Sequence, residues 1–463
     1  MKDVELRNIL DRYERMIREK KIGYFDVYQF EKIIDHYLDN DLFSQAVNAV
    51  NIGLHQHPSS NSLLLKKAQV FAEKGDAKKA LGLLSDLEQV EYTNNDLYLM
   101  KGMIYNQLGK ISQAKKAFEK ALSLTYEDKE NVLRDIALSF EYIHQYEIAA
   151  SYFERAYRIN PDKLSLLYDM AHCYNKLQDF EKSITYYKKY LDQEPFAENV
   201  WYNLGLVYLR MERFEEAIDA YDFALAVNDQ FTTAMLNKAI ALSHLGRYHE
   251  AIPVYQDFLD IEPENALALC YIGECYEKLD QLEKAIKNYN HALKIDPELS
   301  EAWYGLAISY QNLGKFDRAL YSVEKAVDLD DENPDFLFTL GKILIQVGNY
   351  REATIAFTKT TKADPYDYEA WMNLAELGNI RSGPEQALKV LKESYRYNRD
   401  VPEINYMMAG YYCLSGKKDM LYKSFEEGLK LSTDEHQMTF TLCPGIRNDK
   451  KILTLLSKYN IKS

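Results

Sequence analysis

Residues 198–231 read ENVWYNLGLVYLRMERFEEAIDAYDFALAVNDQF, and the placing of large and small side chains in this stretch decides the fold. Trp201, Leu204, Gly205 and Tyr208 fall at helical spacing and form one stripe. Ala217, Tyr221 and Ala224 form a second stripe further on. The break between the two is only two or three residues, so the helices that carry them are forced antiparallel. The pattern recurs along the chain. Trp201 to Trp303 spans 102 residues and Trp303 to Trp371 spans 68, three and two times 34. Ala217, Ala251, Ala285, Ala319, Ala353 and Ala387 keep the same period without a slip. So do Tyr146, Phe180, Phe214 and Tyr248, the later Phe316 and Tyr350, and the prolines 161, 195, 263, 297 and 365.

The unit Trp201-x-x-Leu204-Gly205-x-x-Tyr208, followed by Ala217, Tyr221 and Ala224, resembles the tetratricopeptide repeat family, whose pattern is W-x2-L-G-x2-Y and then small, aromatic and small residues. Numbered 1 to 34, such units run in near-constant register from 27–60 to 402–435, and the third carries one extra residue in the loop near Tyr126. The first two and the last are weak copies, as expected of repeats with one face lacking a neighbour. The resemblance implies an all-α fold: a right-handed superhelical solenoid of about twelve 34-residue helix-turn-helix repeats with helical end caps. It places an N-terminal helical cap at 1–26, the repeat array at 27–435, and a C-terminal loop and capping helix at 436–463.

The residues themselves give physical reasons for that fold. Positions 4, 7, 8 and 11 make the apolar stripe of the first helix, and positions 17, 20, 24 and 27 that of the second. Gly246, Gly314, Gly348 and Gly416 share position 15, where glycine accepts the left-handed backbone that ends a helix. Small residues at positions 8 and 20 let paired helices approach, while bulky ones at 4, 11 and 24 fill the gaps beside them. Prolines at position 32 end the second helix, and Pro384 suits a first helical residue. Leu6, Ile9, Leu10, Tyr13, Met16 and Ile17 mark one capping helix, and Ile452, Leu455, Leu456 and Tyr459 the other.

The net charge of −15 and the lack of a basic stripe argue against nucleic-acid binding. Five scattered cysteines without a C-x-x-C suggest reduced thiols in a cytoplasmic protein. The acidic N-terminus has no apolar signal region, and no apolar run is long enough to insert in a membrane. Tyrosine, at 38 copies, is well above the usual share.

Motifs for chemistry are missing. There is no phosphate loop, no G-x-S-x-G and no calcium loop. His249-Glu250 starts a zinc-protease string, but Pro253 stands where the second histidine belongs. His55-x-His57 lacks a third ligand and reads as an inter-repeat loop. Asp328, Asp330, Asp331 and Glu332 read as an acidic turn, while Cys173 and Cys275 read as packing residues at position 10. Neither an enzyme nor a cofactor or metal is expected.

In the family that this chain resembles, positions 2, 5, 6, 9, 12 and 13 of the first helices face a bound peptide. The resemblance therefore implies a partner-binding groove at Asp135, Tyr168, Asp169, His172, Asn175, Tyr202, Asn203, Asn237, Glu274, Glu277, Tyr304 and Phe338. Position 5 also carries Tyr406. Aromatic anchors beside carboxylates and amides suit a protein or peptide partner offering apolar and basic side chains. Those tyrosines also suit packing between neighbouring first helices. A carboxylate-gripping set, with lysine at position 5 and asparagine at 9, is missing. Self-association into a homo-oligomer, and service as a regulatory or substrate-recruiting subunit of an enzyme complex, stay open.

Overall fold

The computed structural model describes residues 2–19 and 23–461, so residues 1, 20–22 and 462–463 of the two expected caps lie outside the described residues. Among the described residues every regular element is a helix and none is a strand. Lys2–Glu19 comes first, helix pairs follow from Val27–Asp39 and Phe43–Gln56 to Pro402–Leu414 and Lys418–Leu431, and the short Gln437–Leu442 and Lys450–Lys458 come last. The chain divides into two compact units, residues 1–229 and 230–463. Within each unit a first helix packs on its own second helix, and the next first helix packs on that second helix in turn. This is the all-α helical-repeat fold.

The close approach depends on position 8. A Cβ on Gly205 would stand 2.5 Å from the ring of Tyr221, and one on Gly273 would stand 2.7 Å from that of Tyr289. Position 24 accordingly fills with a ring where position 8 is small, glycine at 205 and 273 and alanine at 171 and 239. Tyr187, Tyr221, Tyr255 and Tyr289 all sit there, essentially fully buried. More of the tyrosine excess stands at position 11 under cations. Lys182 covers Tyr174, Lys284 covers Tyr276 and Arg318 covers Tyr310, at 4.6, 5.2 and 5.7 Å from the ring centres.

Position 15 is left-handed with or without glycine, except in the unit 368–401, where Ser382 stays helical and Gly383 takes the positive φ one place later. Gly246, Gly314, Gly348 and Gly416 have φ of 69–79°, and Asp41, His144, Gln178, Glu212 and Asp280 adopt φ of 57–62° at the same place. Tertiary packing thus holds side chains in a conformation that costs roughly 1 kcal/mol for a residue other than glycine. The extra residue of the third unit is absorbed at 125–128, where Asp128 has φ of 60° and Tyr126 is exposed.

The tryptophans do more than fill gaps. The indole N–H of Trp201, Trp303 and Trp371 donates to the carbonyl oxygen of Pro195, Pro297 and Pro365, at 2.8, 2.9 and 3.0 Å. Position 4 thereby closes the turn that the position-32 proline opened. Pro384 begins its helix, and His57, read as a loop residue, bonds through Nε2 to the Phe25 carbonyl at 2.8 Å.

One expectation is corrected. Cys413 and Cys443 form a disulfide across 30 residues, so the thiols are not all reduced. The sequence hides the pair because it depends on the chain turning back after 431. Cys173, Cys270 and Cys275 are free and buried, and burial pushes the Cys270 thiol up to about 12. No helix among the described residues is long and apolar enough to cross a membrane.

Candidate functional site

In the unit 1–229, several polar side chains of the first helices link one repeat to the next. Asn203 donates through Nδ2 to the Tyr168 hydroxyl at 3.0 Å, and Arg210 donates to Asn175 Oδ1 at 3.1 Å. Arg134 Nε reaches Asp169 at 3.5 Å, and His172 Nδ1 pairs with Glu141 at 2.7 Å. The Tyr168 ring also lies edge-on to Tyr187, and Tyr202 tilts against Tyr221. These seven candidates, Asp135 to Asn203, are all half-buried. Desolvation raises the carboxyls of Asp135 and Asp169 above the usual aspartate value, with Arg134 opposing the rise in both. They form a linked and incompletely solvated surface, with charge held in place by its neighbours.

The unit 230–463 brings its candidates together less fully. Glu274 is exposed on the lining of a cavity of about 340 Å³ that also involves Ile240, Ser243, Tyr255 and Tyr271. Glu277 is half-buried, accepts a hydrogen bond from Tyr289 at 3.2 Å, and has its carboxyl raised by desolvation against that bond. Tyr304 packs on Phe336 and meets the Thr339 hydroxyl at 3.3 Å, one repeat further on. Phe338 lies edge-on to Phe357 beneath Lys342. Asn237 is half-buried, and Tyr406 is fully buried with its hydroxyl donating to the Ser432 carbonyl. Tyr406 is thus a core residue in this fold.

The most regular hollow lies where sequence reasoning named no candidate. A cavity of about 450 Å³ is lined by Tyr28, Glu31, Lys32 and Asp35, by Ser62, Leu65, Lys66 and Gln69, and by Asp96, Leu99, Met100 and Met103. These are positions 2, 5, 6 and 9 of three successive units. Lys66 pairs with Asp35, Ser62 bonds to Glu31, and Lys32 lies over Tyr28, while Asp96 stands exposed. The half-buried Leu65, Leu99, Met100 and Met103 leave an apolar, adaptable lining between those charges. The position frame carries this signal in the sequence, although the first two units match the repeat pattern weakly. A larger hollow of about 710 Å³ on the second helices involves Glu119, Tyr146, Tyr152 and Arg155. Several of its polar groups bond one another: Arg155 and Tyr152 bond Glu119, and His144 bonds Tyr146. Among the described residues no group of three or more His, Cys, Asp or Glu side chains is arranged to hold a metal ion.

Models of the tetratricopeptide repeat match residues 32–93, 96–128, 144–207, 202–266, 278–314 and 312–377. The chain belongs to the tetratricopeptide repeat family. No curated protein matches it. Similar solved structures include a tetratricopeptide repeat protein from Parabacteroides merdae, 18% identical, covering 53% of this chain and 97% of that one with a TM-score of 0.43. YrrB, described as a TPR protein with an unusual peptide-binding site, is 18% identical and covers 40% of this chain and 96% of its own, with a TM-score of 0.36. A MamA fragment from Desulfovibrio magneticus is 23% identical and covers 37% and 96%, with a TM-score of 0.34.

Proposed function

We propose that this chain is a non-enzymatic scaffold that binds a segment of a partner protein along its first helices. The observation that carries this reading is the cavity of about 450 Å³ formed by positions 2, 5, 6 and 9 of three successive units. A side chain entering it meets leucine and methionine, with the carboxylates of Glu31 and Asp96 at its edge, so an apolar residue next to a lysine or arginine fits. The same reading assigns partner contacts to the linked surface from Asp135 to Asn203 in the unit 1–229 and, within the unit 230–463, to Asn237, Glu274, Glu277, Tyr304 and Phe338. The array of 27–435 would carry this work between the caps 1–26 and 436–463. A cytoplasmic setting suits the three free thiols, and there the Cys413–Cys443 bond would be open unless oxidised.

The test is a binding titration against a partner captured with the full chain and then purified. Leu65→Ser with Met100→Ser is expected to weaken binding more than tenfold, as loss of an apolar anchor worth about 2 kcal/mol implies. Tyr168→Ala with Tyr202→Ala is expected to weaken it less, because those rings also join neighbouring helices. Circular dichroism checks folding in each variant. Unchanged affinity in both pairs with intact helicity would overturn the reading.

A further inference from the structure

The helix Pro402–Leu414 is buried in an unusual way. Every residue from Ile404 to Tyr412 is buried without a break. A helix that packs by one face leaves exposed positions between its buried ones, as Val27–Asp39 does. The open side of Pro402–Leu414 is therefore covered, and the cover is the chain's own residues 434–443.

The fit follows the register of the binding positions. Tyr406, Gly410 and Cys413 hold positions 5, 9 and 12 of the last unit. The Thr439 hydroxyl donates to the Tyr406 carbonyl at 2.9 Å. A Cβ on Gly410 would stand 2.7 Å from Leu442, and Cys443 is bonded to Cys413. The three contacts advance in the same direction along both segments. Position 9 is glycine in this unit alone, where others carry such residues as Asp35, His172 or Glu274. Phe440 is buried beside Phe425 and His436. One contact opposes closure: an oxygen of Glu435, on the covering segment itself, is buried without a hydrogen-bond partner. Such a group regains hydrogen bonds to water when uncovered.

We propose that Pro402–Leu414 carries a second partner-binding face, that residues 434–443 are its built-in occupant, and that reduction of Cys413–Cys443 uncovers it. This rests on the scaffold reading above. The partner it fits is a short helical segment with a hydroxyl residue followed by aromatic and aliphatic residues one and three places on, the pattern of Thr439, Phe440 and Leu442. Both cysteines are half-exposed, so a dithiol reductant reaches them. Its thiolate attacks one sulfur and displaces the other cysteine as a thiolate, which takes up a proton. The second thiol of the reductant then displaces the first cysteine. Two electrons and two protons pass to the protein, and the reductant leaves as a disulfide.

The experiment uses the full chain, purified without reductant and then treated with dithiothreitol. Titration should find three reactive thiols in the unfolded oxidised protein and five after reduction. Hydrogen exchange at 437–442 should speed up at least tenfold on reduction, while 27–229 stays unchanged. A labelled peptide copying 434–447, with Cys443→Ser, should bind the reduced chain at least tenfold more tightly than the oxidised one. The variant Cys413→Ser with Cys443→Ser should bind it equally well without reductant. Five thiols before reduction, or exchange at 437–442 that reduction does not change, would overturn the proposal. So would equal peptide binding by both forms. Wild-type protein suffices if the variant fails to fold. None of these readouts uses the partner or the 450 Å³ cavity, so their failure leaves the scaffold reading standing.

Discussion

The two ends of the chain close their repeats by different means. At the N-terminal end, Tyr13 of Lys2–Glu19 packs against Phe25, Phe30 and Tyr37. Phe30 and Tyr37 hold positions 4 and 11, the stacking stripe that a preceding repeat would cover. Arg12 lies 4.2 Å above the Phe25 ring and bonds Gln29, which seals the edge. Positions 2, 5, 6 and 9 remain open there as the cavity of Tyr28 to Met103. At the C-terminal end, Ile452, Leu455 and Leu456 join the core, while residues 434–443 take positions 5, 9 and 12. The positions proposed to bind a partner thus stay open at the first end and are filled by the chain's own residues at the second.

The strongest test of that difference removes one ring at each end of the chain. Phe30→Ala should cost about 3 kcal/mol or more, the usual loss for a buried aromatic. Hydrogen exchange should then rise through Val27–Asp39 and its neighbours and leave Pro402–Leu414 unchanged. Phe440→Ala should do the reverse, exposing Pro402–Leu414 with little effect on the N-terminal repeats. Loss of protection at both ends in either variant would break the comparison.

A smaller effect sharpens it. A Cβ on Gly102 would strike the Phe118 ring inside a repeat, at 2.3 Å, whereas one on Gly410 would meet the covering Leu442 first, at 2.7 Å. Both substitutions to alanine overpack, at a cost of about 1–3 kcal/mol. Gly102→Ala should lower the urea midpoint of the repeats. Gly410→Ala should leave that midpoint in place and make residues 434–443 open to protease. A lowered midpoint in Gly410→Ala would mean that the covering segment is part of the repeat core.

The smallest effect is expected away from both ends, at Asp169. Its carboxyl is raised mainly by desolvation, with Arg134 opposing. The folded state therefore holds the proton more tightly than the unfolded one, and this group's contribution to stability declines as pH rises from the ordinary aspartate value through the raised one. Asp169→Asn should stabilise the chain modestly at pH 7, and the gain should fade as pH falls toward 4. Thermal melts across that range check the sign. Destabilisation at pH 7 would show that the Arg134 pair outweighs the burial.

The helices and turns were legible because a 34-residue period leaves few solutions once stripes, breaks and prolines agree. Even the left-handed turn was marked by Gly246 and Gly314, although Gln178 and Glu212 adopt it with no such mark. The candidate surface was legible only as a set of positions. Spacing says that Tyr168 and Asn203 occupy the first helices, but not that they bond each other, since that depends on the angle between successive helices. Gln437–Leu442 was missed because six residues are too few to show helical periodicity. The cysteine pair depended on the same unread turn of the chain.

The bonds between first helices have a consequence for how such a chain can change length. Arg134 to Asp169, Tyr168 to Asn203 and Asn175 to Arg210 each join residues 35 apart. Each link therefore runs from one position of the frame to the next position in the following copy. Excise 164–197, and Arg134 comes to face Asn203, an amide that accepts what Asp169 accepted. The indole of Trp201 would lose Pro195 and find Pro161, the proline of the same frame. Polar links that restart in every copy make the segment exchangeable, so duplication or loss of whole copies leaves few orphaned donors. An insertion that is not a multiple of the period has to be taken up in a loop, as the one at 125–128 is.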